Sequence, residues 1–180
     1  MMRLKVFRLL AAVGSALAML VYPAALSAAD GKPTRVAIPD GAQSFDFPAF
    51  PAAFSACGFE LAGSPVSNNQ YIKTYPADAN GNVRERITGS LKEEFANAAT
   101  GKSIVVNVSG PGTLVMHPDH TADLTIEGSV PVSYLYPWNP RGPATYIYTG
   151  RTVFSIDDDG TLTLVSTTDK QPFDVCAALS

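Results

Sequence analysis

The sequence predicts an all-β protein, in the form of an antiparallel up-and-down barrel of about eight strands, with a two-sheet β-sandwich as the alternative. Three observations carry this prediction. From residue 57 onward, short β-branched and aromatic runs alternate with turn residues. The helical period is almost absent, and the connections are short and hairpin-like. Such a meander hides its edge strands by closing on itself or by folding into two packed sheets.

The first predicted strands lie at 59–61 and 70–75, and the Asn-Gly pair at 80–81 marks a hairpin turn after them. Residues 83–98 are predicted as one long strand with a bend at Gly89. Its even positions from Arg84 to Glu94 are polar, so a two-residue period places one of its faces in water. The apolar positions on the other face are Val83, Ile87, Leu91 and Phe95.

Turn residues separate the remaining predicted strands, and the chain closes on a short helical turn at 172–179 that carries Cys176. Pro131, between residues 123–130 and 132–136, indicates a bulge or an edge position in the strand. The predicted strands in this half are 103–109, 113–116, 123–130 with a continuation at 132–136, 145–156 and 161–168.

Residues 1–29 have the parts of a secretory signal of bacterial type: a basic start, an apolar run at 9–20 and small residues at 27–29. The basic residues are Arg3, Lys5 and Arg8. Cleavage is predicted before Asp30. An uncleaved membrane anchor is the alternative, but the apolar run is short for a membrane span. The mature protein is therefore expected to be secreted and extracellular, with no membrane anchor after cleavage.

Cleavage divides the chain into a signal peptide, a Pro- and Phe-rich arm at 30–56 and a single β domain at 57–180. The proline density predicts an irregular arm, which its phenylalanines attach to the body. The mature chain keeps 10 of the 13 Lys and Arg residues against 16 Asp and Glu, a net charge of −6. This acidity, with no basic cluster, argues against nucleic acid or an anionic membrane as a partner.

Cys57 and Cys176 are the two cysteines of the chain. In an oxidising compartment two lone cysteines usually pair, so a Cys57–Cys176 disulfide is predicted. It would close nearly the whole mature chain, which the chain-entropy model values at about 4–5 kcal/mol. No C-x-x-C spacing is present, so neither a redox nor a metal-binding role is predicted for them.

Both histidines of the chain, His117 and His120, lie with Asp119 and Asp123 around a predicted turn. A metal site needs several such ligands converging on one point. Pro-Asp is ordinary turn chemistry, so no metal site is predicted here. The acidic run at 157–160 lacks the spacing of an EF-hand loop, and a hairpin turn ending in glycine accounts for it.

The chain lacks a G-x-S-x-G elbow, and neither cysteine is expected to be a free thiol, so no catalytic residue and no cofactor are predicted. Glu85 and Glu93 fall on the same odd-numbered face of the long predicted strand. Eight residues of strand would separate them by about 26 Å, far beyond the spacing of a glycosidase pair.

Aromatic residues are the best indication of a binding site. Tyr146, Tyr148 and Phe154 share one face of a predicted strand, and Trp138 lies in the loop before it. An eight-stranded barrel encloses a small ligand or is filled by its own side chains, and a filled core is the commoner outcome. These four residues are the predicted contacts of a small apolar ligand. Trp138 could equally be an exposed recognition residue.

Several short motifs are distributed along the domain: Cys57-Gly58-Phe59, Asn97-x-x-Thr100-Gly101-Lys102-Ser103, Asn107-x-Ser109-Gly110-Pro111-Gly112, Asp159-Gly160 and Cys176-Ala177-Ala178-Leu179. In these turn and cysteine motifs the chain resembles a group of small secreted actinobacterial proteins of uncharacterised function. The resemblance covers most of the mature chain but not the arm. It implies a shared two-cysteine β fold and no activity, because the group has no assigned catalytic or binding residues.

Three functional hypotheses follow, in descending order. The first is a secreted, non-catalytic β-barrel protein that binds a small apolar ligand or a surface partner. The second is a structural or envelope-associated interaction module that acts through the arm or the Trp138 loop. The third is a hydrolase whose site assembles from distant residues around His117 or His120. The sequence leaves the oligomeric state open.

Overall fold

The computed structural model describes residues 32–139 and 141–180, so the signal peptide predicted at 1–29 lies outside the described residues. The described chain contains strands, one 3-10 turn at Asp40–Gln43 and one short helix, α1 (Val175–Leu179). The predicted all-β class is confirmed. The strands are β1 (Thr34–Ala37), β2 (Phe45–Phe47), β3 (Leu61–Asn68), β4 (Tyr71–Thr74), β5 (Val83–Thr88), β6 (Leu91–Asn97), β7 (Ser103–Asn107), β8 (Gly112–Met116), β9 (Ala122–Tyr134), β10 (Ala144–Ile156), β11 (Leu162–Thr167) and β12 (Phe173–Asp174).

These strands form two antiparallel sheets. The larger has the order β1-β4-β5-β8-β9-β10-β11, with β12 also paired to β10, and the smaller has the order β2-β3-β6-β7. No closed barrel forms among the described strands, so the architecture is consistent with the predicted sandwich alternative. The physical reason is that the chain changes sheet after β1, β3, β5 and β7, and a meander that alternates between two sheets does not close on itself.

Gly89 is the point where the predicted long strand at 83–98 divides. β5 pairs with β4 and β8 in the larger sheet, whereas β6 pairs with β3 and β7 in the smaller one. Gly89 has φ +112°, and a Cβ added there would overlap the backbone carbonyl of Asn69. The two-residue period continues on both sides of the bend, which is why the sequence predicted one strand.

Replacing Gly89 by alanine is therefore expected to destabilise the fold by roughly 2 kcal/mol or more, because it adds a steric overlap to an unfavourable backbone angle. The matched control is Gly101→Ala, where φ is +72° and an added Cβ has no neighbour within 4 Å. Urea unfolding of both variants measures the difference. Equal losses would contradict the role assigned to the contact with Asn69.

The Pro- and Phe-rich arm differs from the irregular segment that its prolines predicted. β1 pairs with β4 in the larger sheet, and β2 pairs with β3 in the smaller sheet. Phe45 and Phe47 of β2 are buried in the core. The arm thus contributes one edge strand to each sheet, and the segment between them crosses from one sheet to the other.

Two apolar clusters stabilise the fold. The inter-sheet cluster joins the smaller sheet and α1 to one residue after β9, Leu135, and one residue in β10, Ile147. Its largest members are Phe45, Phe47, Leu61, Leu91, Phe95, Leu135, Ile147 and Leu179. The single-sheet cluster has all its described members in or next to the larger sheet. Its buried members are Leu114, Ala122, Leu124, Val130, Val132, Tyr148, Phe154 and Leu162.

The predicted disulfide between Cys57 and Cys176 is present, with an S–S distance of 1.93 Å. Cys57 is completely buried in the inter-sheet cluster. The bridge attaches α1 to the start of the domain, and the Asn97 amide supports the attachment by donating to the Leu179 carbonyl at 3.2 Å. A disulfide is compatible with an extracellular location. None of the helices in the described ranges is long and apolar enough to cross a membrane.

Candidate functional site

A pocket of about 70 Å³ lies where both sheets meet the segment that joins β1 to β2. The larger sheet supplies Ile87 of β5 and Ile126 of β9, and the smaller sheet supplies Leu91 and Glu93 of β6. The wall is mostly apolar because these strands turn their buried alternate positions toward it. The pocket is partly open to solvent.

The segment between β1 and β2 covers this pocket through Ile38 and Gln43. The Ile38 amide donates to the Gln70 carbonyl at 3.0 Å, and the Asn68 side-chain amide donates to the Ile38 carbonyl at 2.9 Å. Gln43 Nε2 also donates to Gln70 Oε1 at 3.4 Å. The cover is therefore held in place by the β3–β4 connection and not by apolar contact alone.

Glu93 is the unusual residue of the pocket. Its side chain is only 1% exposed and lies on the inner face of β6, between the inward positions of Leu91 and Phe95. Its Oε1 atom is buried and has no hydrogen-bond partner in the described chain. Burial without a compensating charge raises the pKa of Glu93 from 4.5 to about 8. Among the described residues that line the pocket, Glu93 is the one that ionises.

Glu85 is a second buried carboxyl group, but it has a different environment. The Thr74 hydroxyl donates to Glu85 Oε1 at 2.8 Å, and Glu85 Oε2 has no partner in the described chain. Burial raises the pKa of Glu85, and the Thr74 hydrogen bond opposes that rise. Glu85 pairs with Leu114 in the larger sheet and does not line the pocket. The bend at Gly89 therefore places the two carboxyl groups in different sheets.

Sequence reasoning missed Glu93 as a site residue because it treated 83–98 as one strand and considered the two glutamates only as a catalytic pair. One signal was available. Glu93 occupies an inward position between Leu91 and Phe95, where the two-residue period calls for an apolar residue. A charged residue at such a position is expected only when something pairs with it.

The predicted aromatic contacts are divided between two places. Tyr146, Tyr148 and Phe154 lie on one face of β10 and belong to or pack against the single-sheet cluster, where Phe154 is 1% exposed. The Tyr134 and Tyr148 hydroxyls are 2.8 Å apart, and burial raises the pKa of Tyr134. Trp138 packs instead on the inter-sheet cluster. None of the four predicted residues lines the Glu93 pocket, and their ligand role stays a prediction.

The histidine segment forms the turn between β8 and β9. His117 bridges Asn82 Oδ1 at 3.0 Å and Asp123 Oδ2 at 3.2 Å, whereas His120 occupies a turn position with φ +67°. Asp119 accepts from the backbone and hydroxyl of Thr121. In the part of the chain that the structure describes, no group of three or more His, Cys, Asp or Glu residues is placed to hold a metal ion.

A second candidate surface is the aromatic patch formed by Phe50, Phe54, Tyr136 and Trp138. Phe50 stacks edge-on against Tyr136, and Phe54 lies against Trp138, each pair with ring centroids 5.1 Å apart. Phe50 is 47% exposed. Phe54 has φ +66°, which is uncommon for a bulky residue. Its amide donates to the Tyr136 carbonyl at 2.9 Å and so fixes the two loops together.

Comparison of the chain with protein-family models, with curated proteins and with solved structures finds no match. The function has to rest on the geometry of the chain.

Proposed function

We propose that the protein is a secreted, non-catalytic binding protein that receives the end of a small, mainly apolar ligand in the pocket lined by Glu93. The observation that carries the proposal is the unpartnered Oε1 atom of Glu93 in a mostly apolar wall. A buried polar atom without a partner costs about 1–3 kcal/mol, and native proteins keep few of them. A ligand that donates a hydrogen bond to Glu93 would recover that free energy.

The size of the pocket limits what can enter it. Sites for drug-sized ligands have volumes of roughly 300–1,000 Å³, and an engineered cavity of about 150 Å³ admits benzene. At about 70 Å³, this pocket has room for a group of a few heavy atoms. The ligand is therefore a small molecule, or a longer one that inserts one end and leaves the remainder at the open side.

The chemistry of the wall supports binding over turnover. Hydrolysis by carboxyl groups uses a pair, and nucleophilic catalysis uses a nucleophile with an adjacent base. Among the described residues that line the pocket, no histidine, no cysteine and no second carboxyl group accompanies Glu93. His117 lies in the β8–β9 turn, bonded to Asn82 and Asp123, and does not line this pocket.

A titration with small probes tests this function. The secreted protein is titrated with n-butanol, n-butylamine, butyramide and butyrate while its amide NMR spectrum is recorded. For ligands of five or six heavy atoms we expect dissociation constants on the order of millimolar for at least one probe. The shift changes should centre on Ile87, Leu91 and Ile126. The absence of specific changes with all four probes would overturn the proposal.

Gly112→Ala is the variant that narrows the pocket. The added Cβ would lie 3.4 Å from Ile87 Cβ and 3.9 Å from Ile126 Cγ1, both in the pocket wall, at ordinary contact distances. It is expected to weaken binding of the best probe severalfold with little loss of stability. Gly58→Ala is the matched control, since its Cβ would meet nothing within 4 Å. Equal binding by both variants would contradict the location of the site.

The aromatic patch supports a second candidate function, attachment to the cell envelope. Removing residues 30–56 would not test it cleanly, because β1 and β2 belong to the two sheets. The sharper test compares Phe50→Ser with Val165→Ser, an exposed apolar residue of β11, for cosedimentation with isolated envelope material. Loss of cosedimentation in Phe50→Ser alone supports attachment through the patch, and unchanged cosedimentation in both variants contradicts it.

A further inference from the structure

We infer that the group received by Glu93 is a short aliphatic primary ammonium group, so that the ligand is an organic cation. The inference rests on the proposed function and names the chemical class of its ligand. The hydrogen bonding around Glu93, the charges around the pocket and the size of the pocket support it.

The first step is that a hydrogen-bond donor is the partner that Oε1 can use in both protonation states of the carboxyl group. Glu93 Oε1 acts as an acceptor whether the carboxyl group is ionised or carries its proton on the other oxygen. No donor of the described chain reaches this atom. Of the two side-chain amides that line the pocket, Gln43 donates through Nε2 to Gln70 Oε1 at 3.4 Å. A ligand with acceptors only, such as a carboxylate, pairs with Oε1 only while that atom itself carries the proton, and it gains nothing from the ionised carboxyl group.

The second step is that a cationic donor gains more than a neutral one. A hydrogen bond to an ionised partner is roughly twice as strong as a neutral one. Forming a buried ion pair usually requires both charges to lose their water. Here the folded chain has already buried the carboxyl group, so the binding step removes water mainly from the ligand. The net charge of −6 expected for the mature chain also attracts cations.

The third step is that no basic side chain of the protein takes this place. The exposed charged residues on the elements around the pocket are Asp40, Arg84, Arg86, Lys92, Asp123 and Glu127. Glu94, the neighbour of Glu93, occupies the opposite face of β6 and accepts from the Ser103 hydroxyl at 2.8 Å. Glu85 is buried, but Thr74 donates to it and it does not line the pocket. A positive charge beside ionised Glu93 would therefore come from the ligand.

The fourth step is the size of the apolar part. Ile87, Leu91 and Ile126 supply wall for a chain of a few methylene groups, and the volume of about 70 Å³ leaves no room for an aromatic ring within the pocket. An ammonium group on a short unbranched chain satisfies the carboxyl group and the wall together. n-Butylamine is the probe that represents this class, and n-butanol is its neutral counterpart of the same length.

The experiment measures the affinity of the secreted protein for these two probes from pH 6 to pH 9. An alkylamine stays protonated below about pH 10, as lysine does, so the titration observed is that of the protein. Because the pKa of Glu93 is about 8 in the absence of ligand, n-butylamine binding should tighten about tenfold per pH unit up to that value and then level off. n-Butanol binding should not follow this profile.

Two variants locate the effect. Glu93→Gln should lose the preference for n-butylamine over n-butanol and the pH profile of n-butylamine binding. Glu94→Gln is the matched control, because it removes the neighbouring charge from the opposite face, and it should behave as the unmodified protein. If Glu93→Gln does not fold, calorimetry of the unmodified protein in buffers of different ionisation enthalpy gives a second readout. At a pH below the pKa of Glu93, we expect the release of close to one proton for each n-butylamine bound.

The outcomes are distinguishable. Equal, pH-independent binding of n-butylamine and n-butanol would overturn the ammonium assignment and leave the proposed function standing. Binding of neither probe would overturn the ammonium assignment, and if butyramide and butyrate also fail to bind, the proposed function is overturned as well. Unchanged n-butylamine binding by Glu93→Gln, or binding with no proton release, would also overturn the ammonium assignment.

Discussion

The free energy of unfolding is expected to rise as the pH falls from about 8 toward 4.5, because folded Glu93 keeps its proton over this range. In the unfolded chain the carboxyl group has its ordinary pKa of 4.5 and is ionised across the same range. The folded state therefore binds one more proton than the unfolded state, and stability decreases with rising pH by about 1.4 kcal/mol per pH unit. The loss stops above pH 8, where Glu93 is ionised in both states.

Urea unfolding at several pH values between 5 and about 9 measures this effect, with Glu93→Gln as the reference protein. As the pH rises, the unfolding free energy of the unmodified protein should fall relative to that of Glu93→Gln, by several kcal/mol in total. Glu85 shifts in the same direction but is present in both proteins, so it cancels. Parallel pH profiles for the two proteins would show that Glu93 titrates normally.

Loss of the disulfide is expected to remove about 3–5 kcal/mol of stability. The bridge joins residues 119 positions apart, so it restricts most of the described chain in the unfolded state. It also holds α1 against the inter-sheet cluster, where Val175 and Leu179 are completely buried. A domain of this size has a total stability of about 5–15 kcal/mol, so a loss of this magnitude would bring it near unfolding at elevated temperature.

The comparison that isolates this effect uses the oxidised protein, the same protein after reduction, and the double variant Cys57→Ala with Cys176→Ala. Reduction keeps both sulfur atoms, so any further loss in the double variant reports the packing of the buried Cys57 side chain. We expect reduction alone to cause most of the decrease in urea midpoint. A reduced protein with the same midpoint as the oxidised one would contradict the stabilising role of the bridge.

Much of the fold could be predicted because the sequence signals are local. The two-residue periods, the turn residues and the pair of cysteines correctly indicated antiparallel strands, hairpins and the Cys57–Cys176 bridge. The sheet to which a strand belongs is not a local property. The period runs unchanged through Gly89, and only the close approach of the Asn69 backbone shows that the chain turns there into the second sheet.

The candidate site was harder to predict for the same reason. Glu93 forms its environment with Ile38 of the arm and Ile126 of the opposite sheet, which are distant in sequence. Ile87 is near in sequence, but it also belongs to the opposite sheet. The local sequence pattern favoured the aromatic residues of β10 as ligand contacts, but Phe154 is part of the single-sheet cluster. The prolines of the arm likewise predicted irregular structure, whereas the residues between them form the edge strands β1 and β2.

The measurement that tests this account most directly is the titration of the Glu93 side-chain carboxyl carbon by ¹³C NMR, with and without saturating n-butylamine. We predict a midpoint near pH 8 in the free protein and a clearly lower midpoint in the presence of the amine. A midpoint near 4.5 in the free protein, or one near 8 that saturating amine leaves in place, would contradict it.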